Sequence, residues 1–363
     1  MPAGGDMIKL ENCLNKAGAE IPLTDEEALF ILGLENPLAL SMLFSTACAL
    51  RERYFGRKVF LYGFLYFSTW CRNNCSFCGY RALNSGLARY RKSAAELVNA
   101  AVGLRDAGVH LLDMTMGEDP FYCTDQSGEQ RLLELVRLIK ENTGLPLMIS
   151  PGTVSREALR LLAEEGVDWY ACYQETHNRS LFQRLRPQQD YDLRLSRKKD
   201  ARQLGFLIEE GILTGVGESL RDIVHSLRVM GELGAEQVRV MSFVPQANTP
   251  LAHLPTPPRS RELKIIALMR LLYPQKLIPA SLDVDGLAGL KARLEAGANV
   301  VTSLIPPRSG LRGVSNSTLD IDEGCRTVQS VSVELARLGL EAAAPEDYVN
   351  WLARSRERLP KTG

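Results

Sequence analysis

The hydrophobic pattern along the chain switches repeatedly between two periods. Short apolar runs rich in β-branched and aromatic residues predict strands over Val59–Thr69, His110–Gly117, Pro146–Gly152, Trp169–Thr176, Phe206–Gly215, Gln237–Phe243, Leu277–Val284 and Asn299–Ile305. Between them, apolar residues recur at helical spacing over Ala94–Ala107, Glu129–Asn142, Ser155–Glu165, Arg194–Leu204, Ser219–Leu233, Ser260–Leu272 and Leu287–Ala296. Gly108, Gly144, Gly166, Gly205, Gly234 and Gly297 stand where a helix stops in the left-handed conformation.

Strands alternating with helices read as parallel βα units, and eight of them favour a closed barrel over an open sheet. The expected fold is α/β, a (βα)8 TIM-type barrel over 58–307. Residues 1–57 are expected to form an N-terminal helical cap, with helices at Asp25–Leu32 and Pro37–Tyr54. Residues 308–363 are expected to form a C-terminal helical extension of the same domain, with helices at Val328–Leu338 and Pro345–Arg354.

Charge changes the picture by exclusion. There are 43 Lys plus Arg and 43 Asp plus Glu, so the chain lacks the basic excess that nucleic acid or an anionic membrane surface would reward. The most apolar stretch, Val59–Trp70, is too short to span a bilayer, and the N-terminal residues lack the layout of a secretory signal. The eight cysteines are too sparse for a disulfide scaffold, and a reducing cytoplasm is the expected compartment.

Three of those cysteines, Cys71, Cys75 and Cys78, are spaced C-x3-C-x2-C just after the first strand. A structural zinc site wants four ligands, and no second Cys/His pair stands at a suitable spacing. Three thiolates can hold a 4Fe–4S cluster and leave one iron open to a small molecule. The position is the C-terminal face of the barrel, where barrel enzymes do chemistry.

The triplet, with Phe77 before its last cysteine, resembles the radical S-adenosylmethionine (radical SAM) superfamily. That resemblance implies a 4Fe–4S cluster on Cys71, Cys75 and Cys78, and SAM as the second cofactor. It also implies an external one-electron reductant of the flavodoxin or ferredoxin type. Gly117 and Glu118 resemble the motif that binds the SAM methionyl amino group; Ser150, Glu175 and Tyr80 are further SAM candidates. Arg194 could pair with the SAM carboxylate, with Arg186 and Arg197 as rivals. The Glu175–Arg194 spacing resembles the biotin synthase-like branch, which includes a hydrogenase maturase.

Three charged residues stand out inside apolar strands: Asp113, Arg239 and Asp283. Such charges are costly unless paired or facing a polar lumen. Ser281 shares strand parity with Asp283. One Arg and two Asp complement one carboxylate and two ammonium groups, as in a diamino acid. The alternative is an ion pair between Arg239 and either Asp that only holds the core.

Longer stretches sharpen this. Asp113–Pro120, Ile149–Gly152, Tyr173–Thr176, Gly211–Gly217, Val238–Met241 and Ile278–Asp283 resemble the 3-methylornithine synthase family. The resemblance implies an isomerase that converts L-lysine to (2R,3R)-3-methylornithine, the first step of pyrrolysine biosynthesis. It implies hydrogen abstraction by a 5′-deoxyadenosyl radical, fragmentation to a glycyl radical and 4-amino-1-butene, and recombination. Asp113, Arg239, Ser281 and Asp283 then bind the substrate, and none of the four histidines is needed. Another biotin synthase-like transformation or a non-catalytic zinc-binding barrel are the competing expectations.

Overall fold

A computed structural model describes residues 4–313 and 325–359. Among the described residues eight parallel strands form the barrel: β1 Lys58–Ser68, β2 Leu111–Met116, β3 Leu147–Ser150, β4 Trp169–Ala171, β5 Leu207–Thr214, β6 Gln237–Ser242, β7 Pro279–Ser281 and β8 Val300–Leu304, and a ninth, Glu341–Ala342, pairs with the start of β1. Their order is β6-β5-β4-β3-β2-β1-β8-β7. A bridge between Gln237 and Leu277 brings β6 to β7 near their N-terminal ends. The sheet therefore closes at its base and opens towards the C-terminal ends of the strands. The eight strands fall on the eight expected apolar runs, and all six expected stop glycines have positive φ.

β4 is shorter than the apolar run that marks it. After Ala171 the backbone leaves regular pairing and returns to β5 through a single bridge, Glu175 to Ile212. Among the described residues three helices lie outside the expected set: Gly4–Gly18, Pro120–Cys123 and Arg179–Leu185.

The N-terminal helices do not cap a barrel end. Asp25–Leu32 and Pro37–Phe55 pack along the flank, against the outer helices Leu220–Glu232, Arg259–Leu272 and Leu290–Glu295. Polar ties hold them there: Lys264 donates to Leu34 O at 2.9 Å, and Arg228 pairs with Asp25 at 2.8 Å. The base of the barrel is closed instead by the C-terminal helix Pro345–Glu357. The lowest inward layer is apolar, with Phe60, Leu111, Met148, Trp169, Leu207, Leu277 and Val300 packed against Tyr348 and Leu352. Trp169 stacks on Trp351 with centroids 5.7 Å apart. The Trp169 indole N–H donates to Tyr348 Oη at 3.0 Å, and Tyr62 Oη lies 3.1 Å from the same oxygen. The expected C-terminal extension also includes 314–324 and 360–363, which lie outside the described residues. Among the described residues no helix is long and apolar enough to cross a membrane.

Replacing Tyr348 with Phe keeps the plug's volume but leaves the buried Trp169 N–H without its acceptor. An unsatisfied buried donor costs about 1–3 kcal/mol. Urea denaturation should show a loss of that size, and an unchanged midpoint would mean the plug is held by apolar packing alone.

Candidate functional site

One cavity opens at the C-terminal end of the barrel and encloses about 1300 Å³, its open mouth included. It receives Cys71, Cys75 and Cys78 from the loop after β1, and Asp113, Thr115, Gly117 and Glu118 from β2 and its end. Ser150, Tyr173, Glu175, Arg186 and Arg194 line it from the next units, and Arg239, Asp283 and Ser303 from the last three strands and their ends.

The upper half carries the thiols. Burial raises Cys71 to about 11, and burial with its sister cysteines raises Cys78 to about 12. As bare groups these thiols stay protonated at neutral pH; iron binding as thiolate would release those protons. Among the described residues no three side chains converge on a single-ion site. Cys75 Sγ accepts from Gln189 Nε2 at 3.1 Å and lies 3.5 Å from Arg186 Nη1. Hydrogen bonds to sulfur are among the features that tune an iron–sulfur centre.

Beside the thiols lies a polar shelf. Arg194 is buried, donating from Nη1 to Glu118 Oε1 at 2.9 Å and from Nε to Tyr173 O at 2.8 Å. Burial works against ionising Glu118, but Arg194 and Arg72 outweigh it and hold its carboxyl below the usual range. Gly152 is required here: it has φ +80°, and a Cβ on it would sit 2.0 Å from Glu118 Cγ. Gly117 is equally constrained, since its Cβ would lie 2.2 Å from Trp70 O. Arg186 pairs with Glu175 Oε1 at 2.6 Å. The other carboxylate oxygen, Glu175 Oε2, is buried with no partner among the described residues. Glu175 also has φ +66°, a strained conformation for a non-glycine residue. A buried oxygen without a donor is costly unless a ligand supplies one. A hydroxyl or ammonium of SAM is such a donor, so the residues present fit a thiol-bound cluster with SAM beside it. Of the rival arginines, Arg186 shares the cavity with Arg194, whereas Arg197 pairs with Asp200 and is not part of the lining.

Two expected residues stand back from the cavity. The Tyr80 ring packs edge-on against Tyr66 with centroids 5.3 Å apart, and its side chain does not join the lining. Ser281 lies behind the wall: its hydroxyl accepts from Asp283 N at 3.2 Å and meets Ser303 Oγ at 3.3 Å. A short side chain in β7 reaches its neighbours rather than the lumen.

The lower half is where the strand charges meet. Arg239 does not pair with either Asp. Its Nε donates to Glu209 Oε1 at 2.6 Å, and its Nη1 to Thr302 Oγ1 at 3.2 Å. Glu209 is completely buried and also accepts from Gln237 at 2.7 Å and Tyr173 Oη at 2.7 Å. Gly211 makes room for this contact, since a Cβ there would crowd the Tyr173 ring at 3.1 Å. Asp283 pairs with the buried Arg326 at 3.0 Å. The charge tally of one Arg and two Asp is therefore incomplete. Glu209 carried the same signal as Arg239, a charge inside an apolar strand; Arg326 follows the last strand and carried none.

Asp113 accepts from Thr115 at 2.9 Å. Burial, and then the nearby Glu209, push its carboxyl up to about 7, with Arg239 pulling the other way. The buried histidines lie elsewhere. His110 bridges Leu61 N and Ala343 O at the base, and His177, held near 4 by burial, is not in the lining.

A model of the radical SAM superfamily matches residues 65–230. The 3-methylornithine synthase of Methanosarcina barkeri is 44% identical over 326 residues, 90% of this chain and 92% of that protein. The crystal structure of a methylornithine synthase superposes with a TM-score of 0.89 at 42% identity, covering 93% of this chain and 99% of that one. An FeFe-hydrogenase maturase subunit from Thermotoga maritima is 32% identical over 71% of this chain and 74% of its own length.

The Asp113 value fixes a direction for ligand binding. Below about 7 the carboxyl holds its proton and offers an ammonium group no charge; above it, it does. Calorimetry should therefore show a diamino acid such as L-lysine binding more tightly at pH 8 than at pH 6. Asp113→Asn should flatten that dependence. An equal pH dependence in the variant would place its origin elsewhere.

Proposed function

The chain belongs to the radical SAM superfamily and, within it, to the 3-methylornithine synthase family, and on that premise we propose that it isomerises L-lysine to (2R,3R)-3-methylornithine, the first step of pyrrolysine biosynthesis. Cys71, Cys75 and Cys78 would hold the 4Fe–4S cluster, and Gly117, Glu118, Ser150, Glu175 and Arg194, joined by Arg186, would hold SAM. Together the two cofactors supply one-electron chemistry that removes a hydrogen atom from an unactivated carbon. The residues of this chain supply position and exclusion of water.

The observation that carries the reading is the set of opposite charges in the same cavity as the three thiols. Arg239 has its Nε edge on Glu209 and its face over Tyr173 at 5.8 Å, and it lines the cavity where a carboxylate could meet it. Asp113 and Asp283 line the same space and suit two ammonium groups. Ser281 would act through Asp283 and Ser303 rather than on substrate. Fixing both ends of lysine leaves its side chain as the part exposed to abstraction. The apolar plug below seals the base of the lumen, so fragments are retained near one another.

An external electron carrier of the flavodoxin or ferredoxin type would serve as reductant. Trp70, bonded to Cys71, is 48% exposed, and Arg72 beside it is also partly exposed, which suits an acidic partner. The eight cysteines are all unpaired, in keeping with a cytoplasmic setting.

Anaerobic incubation of the reduced protein with SAM and lysine should yield an amino acid of unchanged mass and altered chromatographic mobility. Turnover of another amino acid with lysine untouched would overturn the substrate assignment. Changing any one of Cys71, Cys75 or Cys78 to Ala should remove both the visible absorption of the cluster and deoxyadenosine formation. SAM cleavage retained in such a variant would contradict the ligand assignment.

A further inference from the structure

Behind the lower cavity stands a carboxylate beyond the two that face the ammonium groups of lysine. Two ammonium groups are matched by Asp113 and Asp283, the latter already paired with Arg326, and one carboxylate by Arg239. Glu209 is a third acid, fully buried on β5, and it lies behind Arg239 rather than in the cavity lining. It is held from three directions, by Arg239 Nε, Gln237 Nε2 and Tyr173 Oη, at 2.6–2.7 Å. Burying an acid costs several kcal/mol unless its partners return that energy. A neutral acceptor such as Gln could fill the same space and orient the same guanidinium edge. The charge itself therefore calls for an account.

We propose that Glu209 is a specificity-determining residue: it aims Arg239 at the substrate carboxylate while cancelling the guanidinium charge, so that the lumen favours a cationic diamino acid over neutral or anionic amino acids. This rests on the lysine reading above and deepens it. The geometry supports the aiming role. Glu209 takes Nε and Thr302 takes Nη1, no hydrogen bond is made by Nη2 among the described residues, and Arg239 lines the cavity. The electrostatics support the screening role. An uncancelled guanidinium buried beside Asp113 and Asp283 would repel the ammonium groups that those carboxylates bind. It would also draw in anions, because attraction at low dielectric is strong.

Glu209 further acts on Asp113. The charged groups facing Asp113 are Glu209 on β5, Arg239 on β6 and Asp283 after β7, the last paired with Arg326, with the Tyr173 hydroxyl following β4. Of these, Glu209 and Asp283 oppose ionisation of Asp113 and Arg239 favours it. Removing the Glu209 charge therefore makes Asp113 lose its proton at lower pH.

The test is Glu209→Gln, which removes one negative charge from the lumen whatever else surrounds it and keeps an acceptor for Arg239. Binding of lysine, norleucine and 2-aminoadipate to the SAM-loaded holoenzyme is measured by calorimetry from pH 5.5 to 8.5. These probes share a backbone and carry net charges of +1, 0 and −1. The preference for lysine over norleucine should shrink at least tenfold, 2-aminoadipate should bind more tightly, and the midpoint of the lysine pH profile should fall. Glu209→Asp should restore most of the lysine preference. Equal weakening of all three ligands with an unmoved midpoint would show a structural role only and overturn the proposal. If the unaltered protein does not prefer lysine to norleucine, it is the lysine reading itself that fails. Should Glu209→Gln not fold, Gln237→Leu, which removes one of the three donors but leaves the charge, serves as the second variant. Because the Glu209 charge is intact in it, the lysine preference should be kept; a preference lost there would overturn the proposal.

Discussion

The structure depends on how a barrel lumen tolerates charge. Arg239, Glu209, Asp113 and Asp283 are all at least nine-tenths buried, in a space where an unpaired ion costs several kcal/mol. Arg239 and Glu209 neutralise one another through a short contact, while Gln237 and Tyr173 donate to Glu209 and Thr302 accepts from one Arg239 nitrogen. Asp113 is given no such partner and responds by holding its proton up to about 7. A lumen whose only task was stability would be better filled with packed apolar side chains, as its lower layer is. On the proposed reading the charges serve binding, and the apolar layer and the C-terminal plug support them.

Tyr173 joins the two halves of the cavity. Its carbonyl accepts from Arg194, which is paired with Glu118 on the polar shelf beside the thiols. Its hydroxyl donates to Glu209, which holds Arg239 on the substrate side. The backbone reaches these positions by leaving β4 early and passing Glu175 through a left-handed conformation. Behind it, the fully buried Lys198–Glu210 pair fixes that irregular segment. Lys198 donates to Gln174 Oε1 at 3.0 Å, and Gln174 N donates to Glu210 at 2.8 Å. Strain at the site is thus held by a polar network on the far face of the sheet.

Much of this was legible in the chain. Apolar runs marked the eight barrel strands, because each is buried on both faces, and glycines marked where helices stop. The cysteine spacing located the reactive end, since three ligands to one body must be close in sequence when one loop supplies them. The partners of the strand charges were less legible. Arg239 looked able to pair with Asp113 or Asp283, but pairing depends on height in the lumen, which strand parity does not give; Glu209 lies two residues below Gly211, the register partner of Arg239. Tyr80 and Ser281 stand next to the lining and not in it. The N-terminal helices resembled a cap, but an amphipathic pattern does not say which surface it covers, and the C-terminal helix occupies the base instead.

The central claim is that the SAM shelf and the charged lumen bring one lysine side chain within reach of hydrogen abstraction. Lysine deuterated along its side chain tests this directly, by mass spectrometry of the deoxyadenosine and amino acid recovered after anaerobic turnover. The account predicts deuterium in deoxyadenosine or returned to the product, and none in a Cys71→Ala protein. Deoxyadenosine formed with hydrogen from solvent or protein alone, while lysine retains every label, would contradict it.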